Sequence, residues 1–149
     1  MDLDVALRTS IDDLTWTPKR IASDDRGAVF LMLKEGQFDF PVGEIYFSQV
    51  IAGKIKGWKL HKEMWQRLAV PIGLVKFVVL DERTSSKTRG AVFEIESGPK
   101  NYGVLTIPPG VYYSFKGLGI TPSLIVNAAS IPRRAGESES IALETFSKY

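Results

Sequence analysis

Residues 53–73, GKIKGWKLHKEMWQRLAVPIG, hold the chain's one histidine, His61, with Lys59 two positions before it. Lys54, Lys56, Lys62 and Arg67 crowd around the pair. Alternate residues of an extended strand project to the same face. If residues 56–61 form a strand, Lys59 and His61 point the same way, and Trp58 and Leu60 pack on the other side. A lysine and an imidazole over one cavity can hold an anion or move a proton. The same residues would equally suit a strand edge whose basic side chains are simply solvated.

The surrounding sequence is a succession of short strand patterns. Residues 27–34 (GAVFLMLK) form a continuous apolar run after the turn composition Ser23-Asp24-Asp25-Arg26-Gly27. Residues 44–51 (EIYFSQVI) alternate and stop at Ala52-Gly53, a break that suits a hairpin into residues 54–61. Further strands are expected at 65–70, closed by Pro71-Ile72-Gly73, and at 74–80, 91–96, 103–107, 111–115 and 123–128. Residues 1–15 alone show helical spacing, at Val5, Leu7, Ile11 and Leu14, and read as a short helix or loose arm. Residues 132–141 (PRRAGESESI) read as an exposed polar loop. Eight to ten strands at regular spacing predict an all-β sandwich or jelly-roll barrel. One domain over 1–149 is expected, with an arm at 1–22 and a tail at 132–149.

Composition removes several function classes. With 19 basic and 17 acidic residues the net charge is +2, too balanced for a bulk field that attracts nucleic acid. There is no cysteine, hence no disulfide, thiol nucleophile or cysteine-bound metal. No apolar stretch approaches membrane-spanning length, and the acidic start MDLDVALRTSIDDL does not read as a secretion signal. A cytoplasmic location is expected. Phosphate-binding glycine loops, GxSxG and HExxH are absent.

Glycine spacing adds a frame. Gly53, Lys59, His61, Gln66 and Gly73 resemble the first cupin motif, which normally reads Gly, His-x-His, Glu, Gly. Residues 103–113 (GVLTIPPGVYY) resemble the second, with Tyr113 in place of a histidine. Together the two imply an all-β cupin-like jelly roll. Lys59, His61, Gln66 and Tyr113 are a poor donor set for a first-row metal, so no metal and no other cofactor is expected.

Four stretches narrow the resemblance. They are Asp25-Arg26-Gly27, then residues 56–62 (KGWKLHK), then Asp81-Glu82-Arg83 with residues 86–90 (SKTRG), and finally residues 107–115 (IPPGVYYSF). Residues 24–144 thereby resemble the dTDP-4-dehydrorhamnose 3,5-epimerase family, which acts on nucleotide-activated 4-keto sugars. The resemblance implies proton abstraction next to a ketone, an enolate, and return of a proton from the opposite face.

In that family a histidine is the base, a carboxylate holds it, and a tyrosine acts on the opposite face. Here the base position is Lys59 and the tyrosine position falls near Asn127. The supporting lysine falls at Gln66, beside Arg67, and Glu144 is the rough counterpart of the carboxylate. Lys59, His61 and Tyr113 are the expected catalytic residues. Arg26, Lys56, Gln66, Arg67, Phe115 and Asn127 are the expected substrate contacts. The implied partners are a nucleotide-linked sugar and a second copy of the chain, whose site Arg26 would reach. A sugar 3,4-ketoisomerase and a non-catalytic nucleotide-sugar-binding cupin are the alternatives.

Overall fold

The computed structural model describes residues 2–146; Met1 and residues 147–149, the ends of the expected arm and tail, lie outside them. In chain order the strands are β1 (Leu7–Arg8), β2 (Thr15–Pro18), β3 (Ile21–Asp24), β4 (Gly27–Phe30), β5 (Glu44–Val50), β6 (Ile55–His61) and β7 (Gln66–Ile72). They continue with β8 (Val75–Leu80), β9 (Val92–Ser97), β10 (Gly103–Ile107), β11 (Tyr112–Gly117), β12 (Ser123–Ala129) and β13 (Ser138–Ser140). A single 3-10 turn, Leu143–Thr145, is the only helical element among the described residues.

Two antiparallel sheets face each other. One runs β1-β2-β10-β7-β12-β5 and the other β13-β6-β11-β8-β9, with β3-β4 a separate hairpin. Leu68, Val70, Leu105 and Ile125 of the first sheet meet Val75, Phe77 and Val79 of the second in one buried core. This is the all-β cupin-like jelly roll expected from the strand spacing.

Strand composition follows burial. β8 is apolar on both faces because both are covered. Val75, Phe77 and Val79 enter the main core, while Val78 and Leu80 pack outward with Trp58. β5, at the edge of its sheet, alternates: Val50 is fully buried, whereas Ile45 and Phe47 are 59% and 65% exposed.

Several local expectations are corrected. Residues 2–15 form no helix. Asp4 and Asp13 adopt positive φ (66° and 70°), and Thr9 Oγ1 ties into the turn by accepting from the Ile11 amide and donating to the Leu14 carbonyl. Ile11 and Leu14 are inserted into the core by that turn. The arm is part of the barrel, since β2 pairs with β10.

Residues 27–34 are not one buried strand: β4 stops at Phe30 and pairs only with β3. Ala52-Gly53 does not close a hairpin. β5 pairs with β12 and β6 with β11, so the turn carries the chain from one sheet to the other, with Gly53 at φ 78°. β7 runs through Pro71 to Ile72, where a register shift opposite Leu124–Val126 accommodates the missing amide.

The largest correction concerns residues 132–141. They are not simply an exposed loop. Glu137 is 4% exposed, and β13 pairs with β6, matching Ser138 to His61 and Ser140 to Lys59.

Candidate active site

β6 sets the site. Trp58 is fully buried on its outer side, where its indole N–H donates to the Leu143 carbonyl at 3.1 Å. That anchor turns Lys59 and His61 toward the interior, as alternation requires. Gly57, at φ 134°, lies against β11, where a Cβ would meet the Ser114 Cβ at 2.6 Å. A side chain at that position would push the two strands apart.

His61 is 5% exposed, and its Nδ1–H donates to Glu137 Oε1 at 2.5 Å. The backbone amides of Glu63 and Met64 donate to the other carboxylate oxygen at 2.9 and 3.0 Å. Burial alone would raise the Glu137 pKa. The His61 hydrogen bond and the two amides overcome that and hold it at about 2. Glu137 is thus ionised at neutral pH. Burial first, with the charges of Lys59 and Arg133, lowers the His61 pKa against the pull of Glu137, so the imidazole is neutral at neutral pH with its proton on Nδ1.

A polar chain leads on from the other ring nitrogen. Tyr113 Oη lies 3.3 Å from His61 Nε2 and donates to Gln66 Oε1 at 3.2 Å. Asn127 Nδ2 donates to that same Gln66 oxygen at 3.1 Å and to Tyr46 Oη at 2.9 Å. Buried polar groups need partners, and here each supplies the next. The chain crosses the barrel, from Tyr113 on β11 to Gln66 on β7, Asn127 on β12 and Tyr46 on β5.

This chain borders a cavity of about 290 Å³ between the sheets. Lys56, Lys59 and Arg133 supply its charge, and no carboxylate lines it. Phe115 and Tyr113 give it an aromatic wall, their rings stacked at 11°. Lys59 makes no hydrogen bond or ion pair among the described residues. Burial first, then the charges of Arg133 and Lys56, lower its pKa against the pull of Glu137. On its far side Lys59, with Arg133, also borders a more open hollow that reaches His61 and Glu137. The site is therefore an anion-attracting cavity with an uncommitted amine whose pKa lies below the ordinary lysine value.

Six of the nine residues expected from the sequence line this cavity: Lys56, Lys59, Gln66, Tyr113, Phe115 and Asn127. His61 adjoins it through Tyr113. Two residues are elsewhere. Arg26 sits at the β3-β4 turn, 86% exposed, paired with Asp24. Arg67 faces the outer side of β7, where its guanidinium donates to the carbonyls of Ala128, Phe40 and Pro41 and covers the Phe40 ring at 4.1 Å. It borders an outer hollow of about 360 Å³, larger than the barrel cavity, in which Lys19 is likewise held by Asp4 and Gln37. The cations of that hollow serve the fold, whereas Lys59 is committed to nothing. Arg67→Met should accordingly lower stability by about 3 kcal/mol, as the charged hydrogen bonds of a buried guanidinium to three backbone carbonyls are lost. Urea midpoints would show the loss, and kcat of the folded fraction should be unchanged.

Glu144 is exposed in the 3-10 turn, and the carboxylate that holds the histidine is Glu137. Sequence reasoning missed Glu137, Tyr46 and Arg133. For Tyr46 a signal existed, in the alternation of β5, which puts it on the same face as Val50.

No family-wide sequence profile matches the chain. A dTDP sugar isomerase of Desulfovibrio desulfuricans has the same fold with a TM-score of 0.90 and 38% identity, over 94% of this chain and 90% of that one. The spore coat polysaccharide biosynthesis protein SpsL of Bacillus subtilis is 30% identical over 105 residues, 70% of each chain. The chain belongs to the dTDP-4-dehydrorhamnose 3,5-epimerase-like family. The probable low-salt glycan biosynthesis epimerase Agl13 of Haloferax volcanii is 25% identical over 121 residues, 79% of this chain and 78% of that one. Membership makes the chain an isomerase of the cupin type, as the four sequence stretches implied. No helix among the described residues is long and apolar enough to cross a membrane.

Proposed function

We propose that this protein epimerises a nucleotide-linked 4-keto-6-deoxysugar, without a cofactor, with Lys59 as the base. The observation that supports this most is the position of Lys59. It is an uncommitted amine with a lowered pKa, on the wall of a cation-lined cavity, in a family that inverts carbons next to a ketone. The neutral amine takes the proton from the carbon beside the ketone. The C–H electrons move into the ring as an enolate, whose oxygen the neighbouring cations stabilise. Lys56 and Arg133 suit the diphosphate by charge-assisted hydrogen bonds. Phe115 offers a face for the sugar or base. His61, held by Glu137, fixes Tyr113 and with it Gln66 and Asn127.

Substrate names carried by the relatives favour a dTDP-linked sugar, and their roles favour polysaccharide or glycan assembly, a cytoplasmic step. A homodimer belongs to the same reading. Val29 on the β3-β4 hairpin and Ile45 on edge strand β5 are 60% and 59% exposed, apolar side chains that a second copy would cover. Arg26, at the tip of that hairpin, would then be offered to the partner's cavity. Val29→Glu with Ile45→Glu should give a monomer in sedimentation equilibrium where the unaltered chain gives a dimer.

The test of function is proton NMR of a dTDP-linked 4-keto-6-deoxysugar with the protein in deuterated water. Inversion at C3 or C5 with deuterium entry supports epimerisation. A ketone moved to C3 would replace it with ketoisomerisation. Binding without exchange would leave a non-catalytic sugar-binding cupin.

A further inference from the structure

The tyrosine position that the family resemblance implies falls near Asn127, an amide that cannot give a proton to the opposite face of an enolate. Tyr113 does not fill that gap. It sits on β11 directly across from Lys59 on β6, in register, so the two side chains share one wall. A planar enolate between the sheets turns one face to that wall and the other to β7, β12 and β5.

Tyr46 is on that second wall. It pairs in register with Asn127, lines the cavity, and lies 2.9 Å from the Asn127 amide. Its own proton is not engaged by that contact: Asn127 Nδ2 donates and the phenol oxygen accepts. The hydroxyl's one other contact among the described residues is the Met64 thioether at 3.7 Å, a weak acceptor. Arg133 covers the ring at 5.5 Å. Burial first, then the Glu44 and Glu137 carboxylates, hold the Tyr46 phenol above its ordinary pKa, so that it keeps its proton, while Asn127 and Arg133 favour the phenolate that proton transfer leaves. Burial raises the Tyr113 pKa as well, and there only the Gln66 hydrogen bond opposes it.

We propose that Tyr46 is the catalytic acid of the opposite face, its hydroxyl supplied from β5 beside Asn127 of β12. This rests on the epimerase reading given above. In the step, the Tyr46 O–H bond breaks and a C–H bond forms on the enolate carbon, on the face away from Lys59. The enolate electrons make that bond and the ketone reforms. Lys59 is left as the ammonium and Tyr46 as the phenolate, and exchange with solvent restores both.

The test uses the full-length protein and a dTDP-linked 4-keto-6-deoxysugar in deuterated water, with Tyr46→Phe against the unaltered enzyme. The expected result is a split. Deuterium still enters through Lys59, now with retained configuration, while inversion falls at least about 100-fold. Inversion at the unaltered rate overturns the proposal, and so does equal loss of exchange and inversion, which would mark a binding role. If the unaltered enzyme exchanges nothing, the epimerase reading itself fails and the proposal with it. Difluorotyrosine at position 46 gives a second readout: its more acidic phenol should move the alkaline limb of inversion to lower pH. An unmoved limb overturns the assignment.

Discussion

Lys59→Ala is expected to lower kcat/KM for the 4-keto sugar by about 10²–10⁴-fold, the usual worth of a positioned base. Lys59→Arg should be as slow, although it keeps the charge, because a guanidinium does not lose its proton in this range. That pair separates a base from an anchor for the diphosphate. An anchoring lysine would be largely replaced by arginine, and its loss would raise KM rather than lower kcat. Lys59→His should recover much of the rate with a changed pH profile. The base acts when neutral, so activity rises as pH climbs through its pKa. In the unaltered enzyme that limb lies below the ordinary lysine value of 10.5. With histidine it should move toward 6.5, the ordinary imidazole value. A limb that stays in place would show that another group titrates.

Glu137→Ala is the second large effect. The carboxylate is itself buried and accepts from His61 and from two backbone amides, and its removal leaves three donors without acceptors. A loss of about 3–5 kcal/mol is expected, read as a fall in Tm of about 10 °C. Activity should fall as well, since the His61 ring loses the contact that fixes its tautomer. Glu137→Gln is milder and isolates the charge. The folded pKa of Glu137, about 2, lies below its ordinary 4.5, so the ionised group contributes stability above about pH 4.5. That contribution disappears as pH falls through the folded value. The unaltered protein should therefore weaken steeply between pH 4.5 and 2, and the glutamine variant should show a shallower slope there. Some slope will remain, because Asp81 is also depressed by Arg83, Ser86 and Thr88 despite its burial. Urea midpoints across that pH range measure both slopes.

The barrel was legible because its strands are chemically loud. Residues 75–80 and 123–129 are β-branched and apolar, and Pro and Gly punctuate the turns between them. Lys59 and His61 followed from alternation along β6, with Trp58 on the outer side in a cluster of its own. The same period also separates Gln66 from Arg67. Neighbours on a strand cannot share a face, which is why only Gln66 reaches the cavity.

Other parts were hidden for physical reasons. On β5 the more apolar set, Ile45 and Phe47, is the exposed one, so hydrophobicity pointed to the wrong face and concealed Tyr46. Glu137 lies in PRRAGESESI, a stretch whose composition is that of solvated loop. Its burial comes from a contact with a histidine 76 residues away, and nothing local encodes that. Arg133 reaches the cavity by the same return of the chain past β6. The N-terminal helix pattern lost to two aspartates in left-handed turns and to the core, which takes Ile11 and Leu14 without a helix.

The most direct measurement is the rate at which deuterium replaces the C3 and C5 protons of a dTDP-linked 4-keto-6-deoxysugar, for the unaltered protein and Lys59→Arg side by side. The account predicts deuterium at one or both carbons with the unaltered protein, and exchange at least about 100-fold slower with arginine at position 59. Equal exchange by the two proteins would contradict it.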